Sequence, residues 1–434
     1  MESWKVTALI LCGFGLFKEF RPSEPFFTEY LMNYKGISQE DIVHVAFPIW
    51  TYTYLATLAV IFLVTDFLRY KSVIIFEGIA YVVTWVLITW GEGLTSLILV
   101  EVCYGIVCST EVAYYTYIYA KVNREHYQKV TSYTYSAIFA GRFLGGVVAQ
   151  LLVSFDLMNY HELNYISLSC VSIAVIFSLL LPSVNTSIYF HREKTVTEYN
   201  TFEIGNSANQ TRLSKIKQTG RYLFEDFKDA YSSSYVFKWS LWWAVATAGH
   251  LQVINYIQAL WEIIVNSSGS TVDSQLYNGA VEAIHTLLSA ILAFGVGHVK
   301  ISWATYGEIF LALVSLAQGG LLLLMSQTNN LYIAYASYIL FRMMYQVVIT
   351  IASAEVAQKI REDSYALIFG INTFVALAIQ TILTLIVADD VGLALGERSQ
   401  FKIYGGYHGL LGLFFVIVAF FVIMRKCRAV KQNR

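Results

Sequence analysis

The chain has 434 residues, of which 56% are apolar and 14% charged, with a net charge of −1. Soluble domains carry about 25% charged residues, so this composition, with a mean hydropathy of +0.54, excludes an ordinary soluble globule. The near-neutral balance offers no nucleic-acid surface. The five cysteines show neither metal spacing nor a disulfide framework. With no nucleophile–base constellation and no phosphate-binding loop, no enzyme and no cofactor are expected.

Apolar stretches long enough to cross a hydrocarbon core of roughly 30 Å recur along the chain. In order they cover 4–32, 46–66, 72–91, 93–121, 130–154 and 163–182, then 234–262, 275–297, 303–326, 330–355, 365–388 and 401–425. The first lacks a basic leader and a small-residue cleavage site, and reads as a retained helix. The expected fold is an all-α membrane protein of twelve transmembrane helices in two six-helix halves, 1–182 and 233–425. A polar linker (183–232) joins the halves and a basic tail (426–434) follows. Within the linker, Arg212 to Tyr231 reads either as an amphipathic surface helix or as a plain tether.

Lys and Arg sort unevenly between the two sides of such a topology. Only Lys35, Arg398 and Lys402 fall in the connections on one side. The positive-inside rule then puts both termini in the cytosol. The layout is that of the major facilitator architecture. Asp66, Arg69 and Lys71, between helices two and three, suit a clasp of helix ends.

Charges inside spans are expensive and so face partners or a wet path. Helix one ends in KEFRPSEPFFTEY, where Pro22 and Pro25 break the hydrogen-bond ladder. Lys18, Glu19, Arg21 and Glu24 cannot face acyl chains there. They either pair internally, for instance Lys18 with Glu19 and Arg21 with Glu24, or line a solute path, with Glu24 foremost. In helix four, Glu101, Tyr104, Cys108, Glu111 and Tyr115 share one face by their spacing. Buried acids there require a facing base or a cationic solute. Phe47, Trp50 and Tyr54 in helix two form either a packing face or an aromatic wall for a flat cation. Gln252, Asn255 and Gln258 in helix seven either hold a heterocycle or bond neighbouring helices. Arg142 and Arg342, in helices five and ten, are counter-ions for internal acids or contacts for an anionic group. His250 is the one histidine expected well inside a span beside polar residues, in a packing role.

The runs EFRPSEPF, FPIWTYTYLATL, TDFLRYKSVII, EVAYYTYIYAKVNREHYQKVTSY, WSLWWAVATAGHLQVINYIQALWE, YNGAVEAI and FGINTF resemble, in order, the animal reduced folate carrier and thiamine transporter family. The resemblance implies the major facilitator fold and carriage of thiamine or folate across the plasma membrane. It is closer to the thiamine type, which has an acid where Glu111 stands and an asparagine where Asn255 stands. Folate carriers have a lysine where this chain has Gln380. The resemblance further implies thiamine contact at Glu24, Phe47, Trp50, Trp85, Glu101, Tyr104 and Asn255. Tyr135 and Arg142 depart from the family pattern, and a second mid-span arginine would suit a phosphorylated thiamine or a folate-like anion. Pyridoxine is a further possible solute, and a non-transporting vitamin receptor is the reading from another class.

Overall fold

A computed structural model describes residues 3–68, 70–122, 126–184, 224–225, 227–267, 276–296, 302–360 and 365–432. Among these there are helices and connections but no strand. The N-terminal half comprises α1 (Ser3–Glu19), α2 (Phe47–Phe67), α3 (Lys71–Trp90), α4 (Gly93–Lys121), α5 (Tyr127–Ser154) and α6 (Tyr160–Leu180). The C-terminal half comprises α7 (Ser234–Ser267), α8 (Asn278–Val296), α9 (Trp303–Gln327), α10 (Leu331–Ala357), α11 (Tyr365–Val387) and α12 (Glu397–Gln432). Nine described helices are long and apolar enough to cross a membrane by length and composition. The other three, α1, α7 and α8, pack among them and carry much of the buried polar inventory, including Lys18, His250 and His285.

Twelve crossings leave both chain ends on one face, here called the terminal face; the opposite face is distal. Within each half the first helix is central: α1 packs on α5 and α6, and α7 on α10, α11 and α12. The halves meet where α2 packs on α11 and α5 on α8. The α5–α8 crossing is close because both helices present glycine. A Cβ on Gly146 would sit 2.7 Å from the Gly279 carbonyl oxygen, and one on Gly279 would sit 2.8 Å from the Gly146 oxygen. Small residues let backbones approach in this way when lipid supplies no hydrophobic drive.

The prolines act where the sequence places them. α1 stops at Glu19, and the chain proceeds through a 3-10 turn (Glu24–Phe26), an α turn (Phe27–Glu29) and a π turn (Tyr30–Tyr34). A π-helical segment (Asp41–Ala46) leads into α2, and Phe47 N–H bonds Ile42 O, five residues back. The wider turn accommodates Pro48, which lacks an N–H and crowds the carbonyl four residues before it. Asn159 and Glu162 form a capping box on α6 (2.9 and 2.8 Å).

Several boundaries differ from the sequence expectation. α7 runs to Ser267, and α12 continues through Gln432, so the backbone of the expected tail is largely a helical extension. Of Arg212–Tyr231, only the last turns are described. They are helical, and Tyr231 OH donates to Asn372 Oδ1 (2.7 Å) on α11. Residues 185–223 and 226 of the linker, and the side chains of Asp66 and Arg69, lie outside the described residues. Lys71 Nζ donates to Leu179 O (3.0 Å), joining the ends of α3 and α6.

Candidate functional site

A cavity of ≈ 500 Å³ lies between the halves. Glu24, Phe47, Trp50, Trp85, Glu101, Tyr104, Glu111, Arg142, Asn255, Gln258 and Arg342 all line it. They come from six helices and from the broken segment after α1, which the two prolines allow to leave the helical path.

The N-terminal wall is a charge network on an aromatic frame. Lys18, fully buried, donates to Glu77 Oε1 (2.9 Å) and Glu111 Oε1 (3.0 Å), and its Nζ lies 4.5 Å from the Tyr114 ring centroid. Arg21 pairs with Glu19 (3.1 Å) and Glu24 (3.0 Å), and Arg142 Nε with Glu19 Oε2 (2.7 Å). The expected Arg21–Glu24 pair is therefore present. Lys18 pairs not with Glu19 but with acids of α3 and α4, because its side chain points from α1 into those helices. Glu111 thus faces a base while its side chain stays partly exposed to the cavity.

Arg21 also occupies part of the aromatic frame. Its guanidinium carbon lies 5.3, 5.4 and 5.8 Å from the rings of Tyr81, Trp85 and Tyr104. Those rings already hold a protein cation. Tyr104 OH donates to Glu24 Oε1 (3.1 Å), and Trp85 Nε1 to Ser23 Oγ (3.0 Å). Among the described residues no cation lies over Phe47 or Trp50, and Trp50 stacks beside Tyr104 at 6.5 Å and 29°. Glu101, on the distal part of the α4 stripe, is 4% exposed and has no ion-pair or hydrogen-bond partner among the described residues. Tyr115 donates to Glu111 Oε1 (3.3 Å) and stacks on Tyr135 (5.3 Å), so it supports the stripe without lining the cavity.

The three amides of α7 divide in role. Gln252 is fully buried and donates to Gln380 O (3.2 Å) and Thr384 Oγ1 (2.8 Å) of α11, so it packs helices. Gln258 accepts from Thr28 N and donates to Glu24 O, both at 3.1 Å, tying the halves together. Asn255 lines the cavity with Nδ2 buried and unpartnered. Gln380 lies in the α2–α7–α11 interface, donating to Thr51 Oγ1 (3.4 Å), rather than in the cavity wall.

The C-terminal wall holds a second cluster that the sequence reading missed. Glu282 lies 3.9 Å from Arg342, accepts from Tyr338 OH (3.2 Å), and lies 2.6 Å from His285 Nε2. The rule that singled out charges inside spans applies equally to Glu282 in YNGAVEAI. His250, stacked on Tyr345 at 3.5 Å, is not the one histidine inside a span: His285 and His408 are buried in α8 and α12.

Hydrogen bonds between the halves gather at the distal end. Besides the Gln258 pair, Gln39 Nε2 donates to Ala259 O (3.0 Å) and Glu397 Oε1 (2.6 Å). His44 Nδ1 bonds Ala388 O, and Tyr52 OH donates to Asp389. The cavity is therefore closed off distally.

Two six-helix halves enclosing a polar cavity and latched at one face have the major facilitator architecture. The chain aligns with a solved POT family transporter in complex with 5-aminolevulinic acid at a TM-score of 0.65 and 12% identity, over 95% of each chain. That likeness fixes the fold. The reduced folate carrier family matches residues 2–403. Human thiamine transporter 2 is 42% identical over 455 residues, spanning 97% of this chain and 91% of that protein. Folate transporter 1 of Caenorhabditis elegans is 37% identical over 427 residues, spanning 97% and 93%. The chain belongs to the reduced folate carrier family, and is a transporter rather than an enzyme.

Proposed function

We propose that the chain carries thiamine across the plasma membrane by alternating access, with both termini in the cytosol. The observation that carries this reading is Glu101: a buried carboxylate in a cavity wall, beside uncommitted aromatic faces, with no counter-charge among the described residues. A cationic solute supplies the charge such an acid lacks. The aminopyrimidine stacks on Phe47 or Trp50 and bonds Glu101 or Asn255. The thiazolium sits among carboxylates and aromatics, with Glu24 and Tyr104 adjoining. The similarity to curated thiamine transporters supports the same solute.

The mid-span arginines argue against a folate-like anion or a phosphorylated thiamine. Arg142 is paired with Glu19 and Arg342 stands by Glu282, so neither offers a free positive charge. Counted around the cavity, carboxylates outnumber lysines and arginines.

A ligand that binds only the folded state, at a hundred times its Kd, adds about 2.7 kcal/mol of apparent stability. In a melting panel of thiamine, its phosphates, pyridoxine and folates, thiamine should raise Tm most and folates not at all. Glu101→Gln should lose most of the thiamine shift, since a charged hydrogen bond contributes about 1.5–3 kcal/mol, roughly 10- to 100-fold in affinity. A shift with folates alone, or an undiminished thiamine shift in Glu101→Gln, would overturn the assignment.

A further inference from the structure

Glu77 of α3 is fully buried and does not line the cavity. Among the described residues it pairs with Lys18 alone, at 2.9 Å through Oε1, and its Oε2 is buried without a hydrogen bond. The same ammonium donates to Glu111 Oε1 at 3.0 Å. The ring of Tyr114, its centroid 4.5 Å from Nζ, takes up the third contact, and Tyr114 OH is tied to Leu11 O (2.9 Å).

A lysine offers three donors but one charge. One positive charge therefore serves two carboxylates, and the trio keeps a surplus negative charge. The neighbouring pairs do not remove it, because Arg21 and Arg142 stand against Glu19 and Glu24, two guanidinium groups for two carboxylates. Glu77 is sealed in the bundle, whereas the Glu111 side chain is 28% exposed and lines the cavity. Charges interact strongly over several ångströms where water is excluded, so the surplus is felt in the cavity at Glu111.

We propose that Glu77 is a positioning residue for the solute's charge: by sharing Lys18 it keeps Glu111 from being neutralised, and so makes Glu111 a cation subsite. Glu101 and Glu111 lie about 15 Å apart along α4, so the cavity wall carries negative charge at two levels. When a cation sits at Glu111, Lys18 pairs with Glu77, and trio and solute together are neutral. The identity of the cation rests on the thiamine reading; the charge count rests on Lys18, Glu77 and Glu111 alone.

Two readouts on the purified full-length chain test this, one of them independent of thiamine. Cys108 lines the cavity one helical turn before Glu111, on the same face. Its reaction with a cationic and with an anionic methanethiosulfonate is followed by mass spectrometry, and the ratio of the two rates reports the local charge. The Kd for thiamine is measured beside it. Glu77→Gln leaves Lys18 and Glu111 as a neutral pair. The cation-to-anion ratio should then fall, and the thiamine Kd rise, each at least about fivefold, as for one unit charge lost several ångströms away at an effective dielectric constant of about 20. Lys18→Met combined with Glu77→Gln returns the surplus charge to Glu111, and should bring both readouts to within about twofold of wild type. A packing role alone predicts the reverse, since the double variant loses more contacts. Glu77→Asp, which keeps the charge, should stay near wild type, and Glu77→Met serves if Glu77→Gln misfolds. A Cys108 ratio unmoved by Glu77→Gln, an unmoved Kd in a chain whose wild type binds thiamine, or a double variant no nearer wild type than the single one, overturns the proposal. A ratio that follows the charge of the trio in a protein that binds no thiamine supports the role of Glu77 and overturns the thiamine reading instead.

Discussion

A lysine buried in a membrane span needs full compensation, and Lys18 finds it in Glu77, Glu111 and the ring of Tyr114. Breaking a buried pair by removing one partner leaves an uncompensated charge and costs about 3–5 kcal/mol. Lys18→Ala should therefore lower the melting temperature of the detergent-solubilised protein markedly, and adding Glu77→Gln should recover part of the loss. An unchanged melt for Lys18→Ala would show that the network is not structural. At this scale the sequence was informative about which residues are anomalous and less so about partners. Glu101 and Glu111 lie on one stripe and both line the cavity, yet only Glu111 meets Lys18. The difference depends on where the α1 side chain reaches in three dimensions, and no spacing within α4 encodes that. Glu282 and His285 carry a signal of the same kind as Glu101, an acid and a histidine within a span, that the sequence analysis did not single out.

Helix crossings decide how the halves can move. The α5–α8 contact joins opposite halves through Gly146 and Gly279, and any side chain there meets backbone, which cannot rotate away. Gly146→Leu or Gly279→Leu should hold α5 and α8 apart and keep the distal end from closing. Uptake should fall at least about tenfold, while a cysteine at Asn278 should react faster with an impermeant thiol reagent. Wild-type uptake in either variant would show that the crossing is not needed for closure. Element existence was legible throughout: nine helices are long apolar runs bounded by polar turns, and α1, α7 and α8 were legible despite their polar content. Element ends were less so: α7 and α12 extend beyond their apolar cores as helix, because the ladder continues where hydropathy no longer marks it. The break after α1 was legible from Pro22 and Pro25, since proline removes a donor wherever the helix lies.

The whole molecule is a pair of bundles around a charged cavity, latched distally by Gln39, His44, Tyr52 and Gln258. None of these latch contacts is local in sequence; Gln39 and Glu397 stand at opposite ends of the chain and meet only because the halves fold back to back. The twelve-helix architecture was readable from periodic hydropathy and charge sorting, whereas the conformational state, a property of contacts between halves, was not. On the thiamine reading, this cavity moves a cationic vitamin across the bilayer. Net uptake of labelled thiamine into liposomes bearing the purified full-length chain tests it most directly, with unlabelled thiamine and a folate as competitors. Saturable uptake above protein-free liposomes is expected, abolished by excess thiamine and unaffected by the folate. Thiamine binding without flux would mark a receptor instead, and uptake blocked by the folate would place an anion in the site.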